Sequence, residues 1–246
     1  MTDTREAPVS PDVEGYDFFD FGCSTGGNIT FTARVMPGLR GLGIDIDPAK
    51  ISAALENGHH AVVYDILKLP NRPLVEFVTM SHFLEHLPGI DLARRMIGKA
   101  VSVSREFVFI RQPWFDSDGA LMRHGLKFYW SHWHGHRNKM TTLDFHSILK
   151  DELDKGRIAG FSLYGRGPIA HSRSPALLPL DAPVDQHDYQ AALHGPKEQR
   201  ELPFTAYREI VARIDLRDGT GADAMAAGLG RLDLLFAATR KGNEVP

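Results

Sequence analysis

The chain has 246 residues, 43% of them hydrophobic and 24% charged, with a formal charge of −3. That composition is ordinary for a soluble globular protein, and the length allows one domain with a real core. The absence of a Lys/Arg-rich run speaks against nucleic acid as the main partner. No apolar run approaches the roughly 20 residues that cross a bilayer, so no membrane partner is expected. Cys23 is the single cysteine, which excludes an intrachain disulfide and suits a cytoplasmic setting.

Residues 1–15 are polar and contain proline, without the apolar stretch of a secretory signal, and are expected to form a flexible arm. From Tyr16 onward short apolar runs alternate with helix-like stretches. YDFFDFG reads as a strand closed by Gly22, and the chain from Gly26 to Met36 as a helix stopped by Pro37-Gly38. GLGID is a second strand. Asp47 is placed to cap a helix whose first residue is Pro48 and which ends before Gly58. HAVVY, ending at Asp65, LVEFVTMS and REFVFIRQP complete five strands, with a helix from about Gly89 to Val101 before the last. Apolar runs with little alternation, separated by helices, predict an α/β domain with a doubly wound, mostly parallel sheet.

Beyond Pro113 the pattern lapses. Residues 114–140 hold all three tryptophans, Trp114, Trp130 and Trp133, and are expected to form an inserted lid or an interface. Thr141 caps a helix to about Leu153, and RIAGFSLYG is a sixth strand. Residues 166–205 show no period and are expected to be a second insertion. AYREIVARIDL fits a strand or a helix, and LDLLFAATRK is a last strand. The domain is thus expected to span 16–240, with a flexible tail at 241–246.

The informative block is FFDFGCSTGGN. Its glycines suit a strand-to-helix turn in which backbone approaches a ligand closely. The spacing is not the G-x-G-x-x-G of dinucleotide folds, and no Gly-Lys-Ser/Thr phosphate loop is present. Asp20 beside this turn repels a pyrophosphate but can accept hydrogen bonds from an ammonium group. Asp45, at the end of the second strand, can take both hydroxyls of a ribose.

Here the chain resembles class I S-adenosylmethionine-dependent methyltransferases, in particular the small-molecule group, whose first motif runs acid-x-Gly-x-Gly-x-Gly. Asp20, Gly22 and Gly26 match it, and Ser24 stands at the middle glycine. The likeness covers about residues 16–112 and, loosely, 141–165. It implies a Rossmann-like fold and S-adenosyl-L-methionine as cofactor, held by Asp20, Gly22, Cys23, Ser24 and Gly26 at the turn. It also implies Asp45 with Ile46 at the ribose, Asp65 at the adenine amino group with Ile66 against the ring, and Ser81 and His82, in MSHFLEHLP, beside the methyl-transfer position.

For the chemistry, His82 and His86 are candidate general bases because unperturbed histidine titrates near neutrality. Glu85 lies on the same segment and suits a capping or packing role. In WSHWHGHRNKM the alternating His132, His134 and His136 evoke zinc ligands. No carboxylate or cysteine accompanies them at ligand spacing, so no metal is expected and His134 is assigned to acceptor contacts and catalysis. The expected activity is O- or N-methylation of a small polar acceptor. The competing functions are a non-catalytic binding module on the same fold and a nucleotide-cofactor oxidoreductase; the oligomeric state is left open.

Overall fold

The computed structural model describes residues 13–218, 221–240 and 242–244; most of the expected N-terminal arm and part of the expected tail lie outside them. The run FFDF forms β1 (Phe18–Phe21), buried along its whole length. A turn follows, then α1 (Gly27–Val35), β2 (Gly41–Asp45) and α2 (Pro48–Glu56). Asp47 caps α2 as its spacing predicts, its side chain accepting from the amides of Ala49 and Lys50. β3 (Ala61–Val63), a short 3-10 turn at Ile66–Lys68 and β4 (Val75–Ser81) come next. A second 3-10 turn at Leu84–His86, α3 (Ile90–Val103) and β5 (Ser104–Pro113) complete this half.

The second half holds α4 (Asp118–Met122), β6 (Leu126–Phe128), α5 (Thr142–Asp154) and β7 (Gly160–Arg166). Thr141 and Asp144 form a reciprocal capping box at the start of α5. Then come β8 (Ile169–His171), β9 (Leu177–Pro179), α6 (Ala191–His194), β10 (Glu201–Ala206) and β11 (Glu209–Asp215). α7 (Ala222–Gly228), β12 (Leu232–Thr239) and β13 (Gly242–Glu244) end the described chain.

Nine strands form one sheet in the order β13-β12-β7-β11-β5-β4-β1-β2-β3. β1 to β5 pair in parallel, β11 lies antiparallel between β5 and β7, and β12 is antiparallel to β7. Every strand but β11 and β12 therefore runs in one direction, so the sheet is mostly parallel. Phe18, Phe77 and Phe107 are register partners on β1, β4 and β5, and their rings stack at 5.0 and 4.4 Å. Such a ladder both fills the core and fixes strand register.

AYREIVARIDL resolves as strand β11 with both neighbours paired. Its near-continuous burial explains why no clean two-residue alternation shows in the sequence. Residues 166–205 are not without structure, as their lack of period predicts. They contribute β8, β9, β10 and α6, and β9 pairs with β6 of the other insertion. These strands have only three residues in β8 and β9, too few for a period to register. The two insertions are thus fastened to each other: the Tyr129 amide donates to Ala176 O at 3.1 Å and the Asp185 amide to His132 O at 3.0 Å. Of the expected tail, residues 242–244 instead form β13 against β12. Among the described residues no helix is long and apolar enough to cross a membrane.

Candidate functional site

The carboxyl ends of β1, β2, β4, β5 and β7, together with the start of β11, lie along one edge of the sheet, where open α/β folds place their ligands. The turn after β1 sits there. Gly22 adopts φ +67, and a Cβ on it would stand 2.1 Å from the ring of Phe83. Gly26, at φ +91, is approached as closely by the His59 ring. Glycine is needed at both positions for conformation and for space. Ser24, at the family's middle glycine, takes φ +49, a left-handed conformation costly for a residue with a Cβ. Its amide donates to Asp45 Oδ2 at 3.1 Å, which ties the turn to β2.

The three acids occupy different settings. Asp20 does not open toward the turn as the sequence predicts. It is buried, with Oδ1 accepting from Asn28 Nδ2 at 2.7 Å and Thr79 Oγ1 at 2.9 Å, and Oδ2 without a hydrogen-bond partner. Burial pushes its carboxyl up to about 7 against those two bonds, with a smaller push from Asp45. Asp45 closes its own turn, Oδ1 accepting from the Asp47 amide at 3.0 Å. Asp65 caps the 3-10 turn after β3, accepting from the Leu67 amide at 3.0 Å. Ile46 is 72% exposed beside Asp45, whereas Ile66 is 3% exposed and sits in the core. Of the two apolar residues assigned to the nucleoside, Ile46 is the one with a free face. Cys23 is packed against Gly43, and burial, then Asp20 and Asp45, push its thiol up to about 12, so it is no nucleophile.

Beyond Ser81, His82 takes φ +52 while its amide donates to Arg111 O at 2.9 Å. Its ring stands between two carboxylates, Nε2 3.0 Å from Glu209 Oε1 and Nδ1 3.3 Å from Glu85 Oε1. Burial alone would lower its pKa, but Glu209 and Glu85 outweigh that and raise it to about 9. A raised pKa favours the doubly protonated ring, which works against the general-base role expected for it from the sequence. Glu209, the first residue of β11, also receives Arg111 Nη2 at 2.9 Å and Arg166 Nη1 at 2.7 Å. Burial opposes its charge, and the bonds from His82 and Arg111 overcome this and hold it well below the usual carboxylate range. No local motif marks this cluster, because its members come from β5, β7, β11 and the loop after β4.

Next to the cluster opens a cavity of about 560 Å³. Tyr129, Trp130 and Trp133 line it, with His82, His86, His136, His187, Arg166, Arg208 and Glu209. Two of the three tryptophans, Trp130 and Trp133, thus line it; Trp114 is buried and bonds Ser117 Oγ through Nε1 at 2.9 Å. His134 does not belong to it. It is 78% exposed at the side chain and pairs with Asp185 at 2.5 Å. The three alternating histidines do not converge: His132 Nδ1 contacts Lys127 Nζ at 3.1 Å, and His136 turns to His86, with ring centroids 5.0 Å apart. What does converge is Glu85, His86 and His136, whose potential ligand atoms all lie within 4.8 Å of one another. Glu85, given a capping or packing role from the sequence, lies 51 residues from His136, too far apart for ligand spacing to show the approach.

No protein-family model and no curated protein matches the chain by sequence. By structure it is similar to a SAM-dependent methyltransferase from Archaeoglobus fulgidus, 17% identical over 83% of this chain and 88% of that one, with a TM-score of 0.54. It is also similar to a chain of the complex between the Haloferax volcanii Trm112 methyltransferase activator and a methyltransferase. There the identity is 11% over 82% of this chain and 83% of that one, with a TM-score of 0.50. The chain has the Rossmann-like fold of SAM-dependent methyltransferases.

Proposed function

We propose that the chain is an S-adenosyl-L-methionine-dependent methyltransferase, in the EC 2.1.1 class, that methylates an oxygen or nitrogen of a small polar acceptor in the cytoplasm. The observation that carries this is a juxtaposition along one sheet edge. A glycine turn braced by Asp20 and Asp45 lies on β1 and β2, and an aromatic cavity opens beyond the neighbouring β4 and β5. When bound, the cofactor supplies a sulfonium methyl with a good leaving group, so the protein's share of the work is alignment and exclusion of water, worth up to roughly 7–11 kcal/mol.

The residues divide that work. Asp45 is assigned to the ribose hydroxyls, Ile46 to one face of the base, and the Gly22–Gly26 backbone to the amino-acid end. Asp65 is assigned to the adenine edge and Ser81 to the methyl-transfer position. Tyr129, Trp130 and Trp133 keep water from the acceptor. Arg166, Arg208 and His82 set positive charge around it, which favours an acceptor bearing an acidic group.

Calorimetry with four ligands tests the assignment. S-adenosylmethionine and S-adenosylhomocysteine are expected to bind with a defined stoichiometry, and NAD and ATP are not. Saturable NAD binding with no response to S-adenosylhomocysteine would end it.

A further inference from the structure

We propose that Glu85, His86 and His136 bind a divalent transition-metal ion in the wall of the aromatic cavity. Three independent features of the molecule lead there.

The first is the tautomer of the two imidazoles. His86 Nδ1 lies 3.1 Å from Gly135 O and His136 Nδ1 lies 2.8 Å from Trp130 O. A carbonyl only accepts, so each Nδ1 carries a proton, and the nitrogen left to meet a metal ion is Nε2. A backbone carbonyl on the far nitrogen is the usual outer support of a metal-bound histidine, fixing both tautomer and ring plane.

The second is the state of the carboxylate. Glu85 is fully buried, and neither side-chain oxygen has a hydrogen bond. Its ion-pair partner, His82 Nδ1, approaches only Oε1, at 3.3 Å. That leaves Oε2 buried with no partner, a costly state that a bound metal ion would relieve.

The third is the bracing of the two segments that carry the ligands. Asn138, itself buried, donates through its side chain to Leu84 O at 3.1 Å and through its amide to Glu85 O at 3.0 Å. With the His86 bond to Gly135, this holds residues 84–86 against residues 135–138 before any ligand arrives. Ligand atoms around a tetrahedral ion at ~2.1 Å stand ~3.4 Å apart. One candidate ligand atom of each residue already lies within 4.8 Å of the others, close to that spacing.

Two imidazoles and one carboxylate suit zinc and its transition-metal neighbours, whereas magnesium and calcium prefer all-oxygen sites. His86 and His136 both line the cavity, so the remaining coordination positions open into it. An oxygen of the acceptor placed there would be oriented and more readily deprotonated. That role rests on the methyltransferase assignment above; metal binding itself does not.

Zinc chloride titrated into the chelator-stripped full chain, read by calorimetry and by competition with a chromophoric chelator, tests the site. One equivalent is expected to bind, and His134→Ala is expected to bind it equally. Loss of an outer-shell partner alone costs about 10–100-fold in metal affinity, so His86→Ala and His136→Ala are each expected to lose at least ~100-fold. Glu85→Gln is expected to behave likewise, and where it fails to fold, the two histidine variants carry the test. Parent zinc affinity no better than that of a folded His86→Ala/His136→Ala double variant would overturn the proposal. S-adenosylhomocysteine titrated into the same samples separates the two ideas. Zinc held by these residues without S-adenosylhomocysteine binding removes only the methyltransferase assignment. S-adenosylhomocysteine binding with zinc indifferent to all three variants removes only the metal site.

Discussion

The two sides of the sheet edge are built on different principles. On the β1–β3 side, the groups assigned to the cofactor each sit at a strand end, and each is bonded to backbone within a few residues or on the next strand. On the β5–β11 side, single charged groups from distant segments meet: Glu209 gathers His82, Arg111 and Arg166. The first side is acidic and locally encoded; the second is cationic around one carboxylate and exists only once the chain has folded. Ser24 and His82, one on each side, both hold left-handed backbone. Strain of that kind persists where surrounding structure over-determines it, at a cost of ~1–3 kcal/mol each.

Glu209→Ala breaks the contrast hardest. The variant leaves Arg111 and Arg166 without their shared anion and His82 with Glu85 alone, and removing one partner of a buried pair costs roughly 3–5 kcal/mol. Urea denaturation is expected to show a loss of that size, with S-adenosylhomocysteine affinity in the residual folded protein little changed. A loss below about 1 kcal/mol, the range of a solvent-exposed pair, would mean that the cluster is a surface arrangement and not a keystone.

The same contrast explains what the sequence discloses. β1 to β5, the α2 cap at Asp47 and the capping box at Thr141 are legible because apolar runs, Gly, Pro and capping residues act over a few positions. α7 passes unnoticed because its seven residues, ADAMAAG, carry no strong period. Glu209 is invisible for another reason: it lies inside AYREIVARIDL, and nothing within ten residues of it announces Arg111 or His82. Glu85 is visible on its segment, but its approach to His136, which arrives on an insertion, is not. Asp20 is found at the right strand end yet faces inward, because Asn28 and Thr79 supply donors that the motif alone does not show.

Acid–base behaviour offers a second way to sharpen the comparison. Asp20 has its pKa raised from 3.8 to about 7. Its contribution is therefore fully present below pH ~4 and lost as pH rises through ~7, a drop on the order of a few kcal/mol. Glu209 is depressed, so its contribution is present above the usual carboxylate range and lost as pH falls below it. Melting temperature followed from pH 4 to 8 is expected to fall less in Asp20→Asn than in the parent. Parallel profiles would mean that Asp20 is ionised in the folded protein despite its burial.

On the cofactor side, Asp45→Ala is expected to weaken S-adenosylhomocysteine by roughly 1.5–3 kcal/mol, the value of a charge-assisted pair of bonds. It also frees the Ser24 amide. Asp65→Ala removes a single adenine-edge contact that water replaces in part, so its effect is expected to be clearly smaller. Calorimetry on both variants ranks them, and equal losses would contradict the local division of labour along β2 and β3.

The smallest expected effect falls at the boundary between the insertions. His134 and Trp133 are adjacent in sequence and point to different places. Trp133 lines the cavity, with its ring 4.7 Å from that of His187. His134 faces solvent on Asp185, and exposed pairs of that kind are worth about 0–1 kcal/mol. His134→Ala is therefore expected to leave turnover, acceptor KM and cofactor affinity unchanged and to move stability by less than about 1 kcal/mol. Trp133→Ala is expected to raise the acceptor KM while S-adenosylhomocysteine affinity holds, because an aromatic wall is lost on one side of the cavity only. The sequence assigns His134 to acceptor contacts; the hydrogen bond from its amide to Asp185 Oδ1 at 2.8 Å holds it away from the cavity. If the histidine variant changes KM and the tryptophan variant does not, the cavity wall is drawn on the wrong side of this segment.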